Sequence, residues 1–312
     1  MVVLKDKILN FHPDTLYVAR KDVNLEKEER IEEALDILEG WVKKQTHFAK
    51  KDFSRDYLER TLITAKGLVE RAKVRIDKLC TFKTLMPDLY PSSVSRTDYE
   101  VLEKYLNHAH LPTLTKDHYR VYLLQLNADD FSSSVVNTYY RYIVVTSEYL
   151  KIHDYNCGFI VALDFRNINI LNVVAKCTPM ELRQIVTLMT EGYSMRIKQI
   201  HIITASKMVD ALLALFRQVL SSKLAKRITL HKNLDTFYEY VPKDILPIEY
   251  NGTERSLKKL NEEFIAELTS EEFVKYFEEM YKANTDESCR PSDKFNEQYV
   301  GMPGSFRALS VD

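Results

Sequence analysis

The hydrophobic pattern of the chain is most distinctive over residues 200–231. Short β-branched runs at both ends of this stretch predict two strands, and the apolar segment 208–220 between them predicts a helix. Four apolar side chains recur at helical spacing and form one continuous face: Val209, Leu213, Phe216 and Leu220. Leu212 and Leu215 make the opposite side apolar too. A helix that is apolar nearly all round is either deeply buried or does not always face water.

The rest of the pattern predicts an all-helical start followed by alternating strands and helices. Residues 25–44 and 67–82 carry helical apolar stripes, and a stretch rich in Pro and Ser at 86–93 ends this first unit. The later elements, in chain order, are a polar helix at 97–108, a strand at 119–126, a helix at 135–153, a strand at 157–163 and a helix at 178–191. Such alternation predicts an α/β fold with a mostly parallel sheet.

These elements divide the chain into three expected parts. Residues 1–92 are predicted to be a helical N-terminal domain, and residues 93–268 the α/β domain. Residues 269–312 are predicted to hold a C-terminal helix and an irregular tail. The start of the helix at 178 is the strongest local signal, because Thr178, Pro179 and Glu181 combine an N-cap, a proline at the first helical position and a capping-box acid.

Charge is one-sided around the apolar helix, although the formal net charge of the 312 residues is only −1. This near-neutral total argues against nucleic-acid binding through bulk electrostatics. Asp210 is the one acidic residue in this stretch. The cations around it are Arg196, Lys198, Lys207, Arg217, Lys223, Lys226, Arg227 and Lys232. An apolar helix framed by cations indicates a protein that meets lipid.

The sequence offers no sign of membrane insertion or secretion. No apolar run approaches the roughly 20 residues that cross a bilayer, and the first residues lack the apolar core of a secretory signal. The four cysteines are scattered without a CxxC pair, which is typical of a reduced, cytosolic protein.

Motifs for catalysis and for metal or cofactor binding are missing. The chain has no GxxxxGK[ST], GxGxxG or GxSxG sequence. His108 and His110 are two residues apart, which on a helix would not bring them to one face, so a plain surface position is favoured over a metal site. Cys177 and Arg183 have the spacing of a cysteine phosphatase, but Pro179 and Glu181 between them oppose a phosphate cradle. No enzyme, cofactor or metal is therefore expected.

Five segments together resemble the CRAL-TRIO lipid-transfer family in order and spacing. They are FIVALD (159–164), TPMEL (178–182), GYSMRIKQIHII (192–203), KRITLH (226–231) and LPIEYNG (246–252). Residues 59–90 are similar to the helical N-terminal extension of arthropod members. The resemblance implies a CRAL-TRIO fold, in which an apolar cavity lies between the sheet and its flanking helices and residues 200–220 supply an inner strand and the gate helix.

The resemblance also implies site residues. The cavity wall would be formed by Val144, Ser147, Phe159, Val161, Leu163, Ile185, Leu188, Met189, Val209, Leu213, Phe216 and Leu220. Four cations fall where members of the family bind phosphoinositide head groups: Arg196, Lys198, Arg217 and Arg227. Tyr139, Tyr140 and Tyr142 are further candidates for polar contacts with a ligand. The chain departs from the family by lacking prolines at Ser194 and Ser206, which loosens the start of the gate helix.

The function implied is a non-catalytic carrier of a small hydrophobic ligand, such as a retinoid, tocopherol, carotenoid or phospholipid. It would be a cytoplasmic monomer that associates transiently with membranes containing phosphoinositides. The alternative from a different class is a signalling or scaffold module that binds phosphoinositide head groups and carries nothing.

Overall fold

The computed structural model of the protein describes residues 4–290, so the predicted irregular tail at 291–312 lies outside the described residues. The first part of the chain is helical, as predicted. Its helices are α1 (Thr15–Lys21), α2 (Glu28–Lys44), α3 (Arg55–Thr64) and α4 (Val69–Leu85). The buried side of α2 is the stripe expected from its sequence: Ile31, Ala34, Leu35, Leu38 and Val42. Ser54 caps α3 by accepting a hydrogen bond from the backbone N–H of Tyr57.

A five-stranded sheet follows, with its strands in chain order from one edge to the other. The strands are β1 (Leu106–His110), β2 (Tyr119–Leu126), β3 (Gly158–Asp164), β4 (Ile197–Ile203) and β5 (Ile228–His231). β1 is antiparallel to β2, and the other three pairs are parallel. The mostly parallel sheet predicted from the alternation of elements is therefore confirmed.

Helices connect and flank these strands. They are α5 (Thr97–Glu103), α6 (Ser133–His153), α7 (Ile170–Lys176), α8 (Pro179–Thr187), α9 (Val209–Val219), α10 (Ser222–Ala225), α11 (Leu257–Leu268) and α12 (Glu271–Tyr281). A π-helical turn, Leu188–Gly192, extends α8. The predicted start of α8 is confirmed, because the Thr178 hydroxyl accepts a hydrogen bond from the Glu181 N–H at 3.3 Å and donates one to the Glu181 carboxylate at 2.7 Å. Within residues 4–290, no helix is long and apolar enough to cross a membrane.

Alternation along the strands divides the apolar side chains between two faces of the sheet. On β3, Phe159, Val161 and Leu163 point to the face covered by α6, α8 and α9. Ile160 and Ala162 point to the other face, where they join a second core with residues of the 234–260 segment. The first face holds the larger core, which continues without a break into the N-terminal helices.

A buried ion pair joins the N-terminal helices to α6 and to the C-terminal helix α12. Lys83 on α4 lies 2.7 Å from the Glu148 carboxylate on α6 and also donates to the carbonyl of Met280 on α12. The Tyr193 hydroxyl donates to the same carboxylate at 3.0 Å. The parts predicted at 1–92, 93–268 and 269–312 are thus tightly packed where described, and the boundaries between them stay a prediction.

The prediction of one polar helix over 97–108 is wrong. The helix ends at Glu103, and the following residues form β1, which pairs with β2 so that Leu106 lies opposite Leu126 and His110 opposite Tyr122. Pairing with a distant strand overrides the local preference of this polar stretch. On a strand, His108 and His110 share one face. His108 is 1% exposed, so the expected surface position for it is also wrong.

Candidate ligand-binding site

An almost wholly apolar cavity of about 290 Å³ lies between the sheet and the helices α6, α8 and α9. Its floor is formed by alternate side chains of the strands: Tyr122, Leu124, Phe159, Val161 and Leu163. Val161 and Leu163 remain partly accessible although β3 is the central strand of the sheet. Because both line the cavity, their accessible surface faces the space that a ligand would fill.

Most of the predicted wall residues line this cavity. They are Ser147, Phe159, Val161, Leu163, Ile185, Met189, Phe216 and Leu220. Their contact with a ligand stays a prediction. These residues come together because three helical segments pack on the same face of the sheet: one face of α6, the end of α8 and the C-terminal half of α9.

Four predicted residues are not part of the wall. Val144 is fully buried in the core beside the cavity. Leu188 lies beside Gly192, where a β-carbon added to the glycine would also meet Phe82 of α4, so the Leu188 side chain packs towards the N-terminal helices. Val209 and Leu213 on α9 are partly buried against the core but do not reach the cavity.

The inner face of α9 therefore differs from the predicted face. Its buried residues are Leu212, Leu215 and Val219, with exposures of 2%, 6% and 8%. Leu212 and Leu215 line the cavity together with Phe216. The helix is apolar on both sides, so its periodicity alone does not show which side turns inward. Packing of α9 against α7 and α8 decides this rotation.

Hydroxyl groups shape the start of α9 where the prolines of the family are missing. The Thr204 hydroxyl accepts a hydrogen bond from the Ser206 N–H at 3.1 Å, and the Ser206 hydroxyl accepts one from the Met208 N–H at 3.2 Å. Ser194 has a φ of 60°, which the ring of proline forbids. The backbone before β4 is thus built for a residue other than proline, and serine turns at 204–208 hold the start of the helix.

Most hydrogen-bonding groups of the wall are satisfied by the protein, but the buried hydroxyl of Tyr140 has no partner among residues 4–290. The Ser147 hydroxyl donates to the Ile143 carbonyl at 2.6 Å, and the Thr146 hydroxyl donates to the Tyr142 carbonyl at 2.8 Å. A further group, His110, was missed as a cavity residue because a plain surface position was predicted for it. Burial, with smaller contributions from Arg120 and His108, lowers the pKa of His110 to about 3.

The four predicted head-group cations lie in different environments. Arg196 forms an ion pair of 2.6 Å with Asp22, and Arg227 donates to the carbonyl of Ile197. The Lys198 ammonium lies 5.0 Å from the centre of the Tyr119 ring. Arg217 is exposed on α9.

Two further lysines join this basic surface. Repulsion from Lys223, followed by burial and by Arg71, Arg196 and Lys198, lowers the pKa of Lys66. Lys66 follows α3, whereas Lys223 lies on α10 after the gate helix. The cations near the amino ends of β4 and β5 therefore share one positive surface with the N-terminal helices, which we call the basic patch: Lys66, Arg196, Lys198, Lys223 and Arg227.

Residues 101–252 match the family model for the CRAL/TRIO domain. The chain contains a CRAL/TRIO domain. Two curated relatives, the mouse and human proteins named alpha-tocopherol transfer protein-like, are 26% and 25% identical to this chain over 121 residues. Each match covers 38% of this chain and 35% of the relative, so it spans about a third of the relatives' length.

A solved structure is similar to the CRAL/TRIO domain and its surroundings. It is the crystal structure of Sfh5, which covers 75% of this chain and 91% of its own, with a TM-score of 0.45 at 10% identity. This likeness is too weak to bear on function.

The surroundings of Cys177, the cysteine of the phosphatase-like spacing, disfavour its thiolate form. Burial, and then the charge of Glu181, raises the pKa of the Cys177 thiol, whereas a nucleophile needs a lowered one. The thiol ends α7 and lines the cavity. Among residues 4–290, no three His, Cys, Asp or Glu side chains are placed to hold a metal ion.

Proposed function

We propose that this protein binds a small hydrophobic molecule in its cavity and transfers it between membranes without catalysis. The observation that carries the proposal is the almost wholly apolar cavity of about 290 Å³ inside a CRAL/TRIO domain. This volume is near the lower end of the range for ligand pockets, about 300 Å³. A single small molecule such as a retinoid or tocopherol fits this size better than a two-chain phospholipid. The names of the relatives support a transfer role.

Extraction of the purified protein into organic solvent, together with native mass spectrometry, tests the proposal. A carrier yields one lipophilic molecule per chain. Val161→Phe, which pushes a ring into the cavity, is expected to abolish this occupancy, whereas Val161→Ile is the matched control and keeps it. A folded wild-type protein that carries no lipid and takes up none from vesicles would contradict the carrier function.

Release of the ligand needs a way out, and we infer that α9 is the lid. Its inner side chains Leu212, Leu215 and Val219 are each worth roughly 1.5–3 kcal/mol when buried, or about 5–9 kcal/mol together. Opening into water is therefore rare. Contact with a bilayer lowers the free-energy cost of opening, because the exposed face of α9 then contacts lipid instead of water.

The basic patch, together with the exposed Arg217 on α9, is proposed to bring the lid to anionic membranes, and phosphoinositides are the expected head groups. Each cation near such a surface contributes about 1 kcal/mol. Lys198→Gln with Arg217→Gln removes two charges without breaking the ion pair of Arg196, so binding to phosphoinositide-containing vesicles should weaken about 30-fold. Lys44→Gln on α2 is the control. Equal vesicle binding by both variants would rule out this surface.

The alternative function is a module that binds head groups through the basic patch and carries no cargo. Such a protein would bind the same vesicles but yield no stoichiometric lipid on extraction. The two measurements together therefore separate a carrier from a scaffold. In either case we expect a cytoplasmic monomer that meets membranes transiently.

A further inference from the structure

One part of the cavity wall groups three side chains that can form hydrogen bonds. They are His110 on β1, Tyr122 on β2 and Tyr139 on α6. The ring centres of His110 and Tyr122 are 4.7 Å apart, and the hydroxyl oxygens of Tyr122 and Tyr139 are 2.6 Å apart. The two tyrosines thus satisfy each other.

His110 differs from these tyrosines because its polar atoms are unused. Neither ring nitrogen forms a hydrogen bond within residues 4–290, and the ring lies against the aromatic rings of Tyr122, Phe159 and Phe264. The ring keeps some accessible surface while its pKa falls to about 3 through loss of solvent. His110 is also one of the residues that line the cavity, so its ring is within reach of a bound ligand.

A neutral imidazole offers one N–H donor and one acceptor nitrogen. Such groups are almost always satisfied when buried, because an unmade hydrogen bond in an apolar site is costly. A ligand that fills the cavity is the partner that can reach this ring. It can accept the N–H with a carbonyl or hydroxyl oxygen, or donate a hydroxyl proton to the other nitrogen.

We propose that His110 is a polar contact of the cavity and that it selects a hydrophobic ligand carrying an uncharged hydroxyl or carbonyl group. The proposal rests on the carrier function above and narrows its ligand class.

An ionised head group does not suit this site. The residues that line the cavity include no Lys or Arg. Arg120 influences His110 but is fully buried, forming two hydrogen bonds with the Asp154 carboxylate and donating to the carbonyls of Leu111 and Pro112. A carboxylate would be buried without a partner cation, which is unfavourable. The same reasoning disfavours a phosphate.

The test compares three probes that share one alkyl chain: dodecan-1-ol, 1-chlorododecane and dodecanoate. Their affinities for the full-length protein are measured by displacement of a fluorescent apolar probe at pH 7.5. His110→Leu should weaken dodecan-1-ol about fivefold, the equivalent of one net hydrogen bond, and leave 1-chlorododecane unchanged or tighter. His110→Gln should restore much of the loss. Dodecanoate should bind the wild type more weakly than the alcohol.

His153→Leu is the matched control, because it makes the same substitution at a histidine of α6 that pairs with Asp6 and does not line the cavity. This substitution should change the affinity for the alcohol less than twofold. Thermal unfolding of each variant checks that it is folded.

The outcomes separate the two levels of the proposal. If the probes bind and His110→Leu affects the alcohol and the chloride equally, or if dodecanoate binds as tightly as the alcohol, the role of His110 is overturned and the carrier function stands. If no probe binds and no lipid co-purifies with the wild-type protein, the carrier function fails and the role of His110 fails with it.

Discussion

Truncation of Leu212 to alanine tests whether α9 opens to release the ligand. Leu212 is 2% exposed on the inner face of α9 and lines the cavity. Removal of such a buried leucine side chain costs roughly 2–5 kcal/mol. If opening exposes Leu212, this free energy is lost from the closed state only. Even the lower figure, about 2 kcal/mol, would speed ligand release about 30-fold.

Release is measured by loading the protein with a fluorescent lipid and mixing it with excess acceptor vesicles. Two matched leucines serve as controls. Leu213→Ala changes the next residue of the same helix, which does not reach the cavity, and should alter the rate only slightly. Leu163→Ala removes a cavity contact from β3, which belongs to the sheet and not to the lid. It should lower affinity with a smaller effect on the release rate.

The comparison can refute the lid. If Leu163→Ala speeds release as much as Leu212→Ala, lost ligand contacts explain the effect and α9 need not move. If Leu213→Ala has the larger effect, the inner face of α9 is the one first predicted from its periodicity. Chemical denaturation of each variant gives the loss of global stability against which the rates are compared.

Three further predictions concern stability. Lys83→Met leaves Glu148 buried without its cation and should lower the free energy of unfolding by about 3–5 kcal/mol in urea denaturation, with most of the loss recovered in Lys83→Met/Glu148→Leu. In the folded protein the pKa values of His108 and His110 are about 3, compared with 6.5 for an unperturbed histidine. Between about pH 3 and pH 6.5 the unfolded chain therefore binds more protons than the folded one. Stability should be full above about pH 6.5 and fall on acidification by up to about 1.4 kcal/mol per pH unit for each histidine, with a shallower slope in His110→Leu. Thr178→Ala removes the cap of α8 and should cost about 1 kcal/mol in thermal unfolding, whereas an unchanged melting temperature would contradict the capping role.

Much of the architecture follows from local patterns. The stripe of α2, the cap at Thr178 and the alternation along β3 each depend on residues a few positions apart, so their geometry is written in the sequence itself. The resemblance to the family assigned Phe159, Val161 and Leu163 to the cavity wall, and alternation along β3 explains why the three share one face. Order and spacing of short segments then indicated the CRAL/TRIO domain, which the family match bears out.

The tertiary structure decided what local patterns left open. Residues 106–110 form a strand because they pair with the edge of β2. This pairing places the His110 side chain in the cavity wall. The rotation of α9, which selects Leu212 over Leu213, depends on packing against α7 and α8 because both sides of the helix are apolar. Sequence alone thus determined that an apolar helix covers an α/β sheet. Which side chains enclose the cavity, and that a histidine is among them, depended on partners far along the chain.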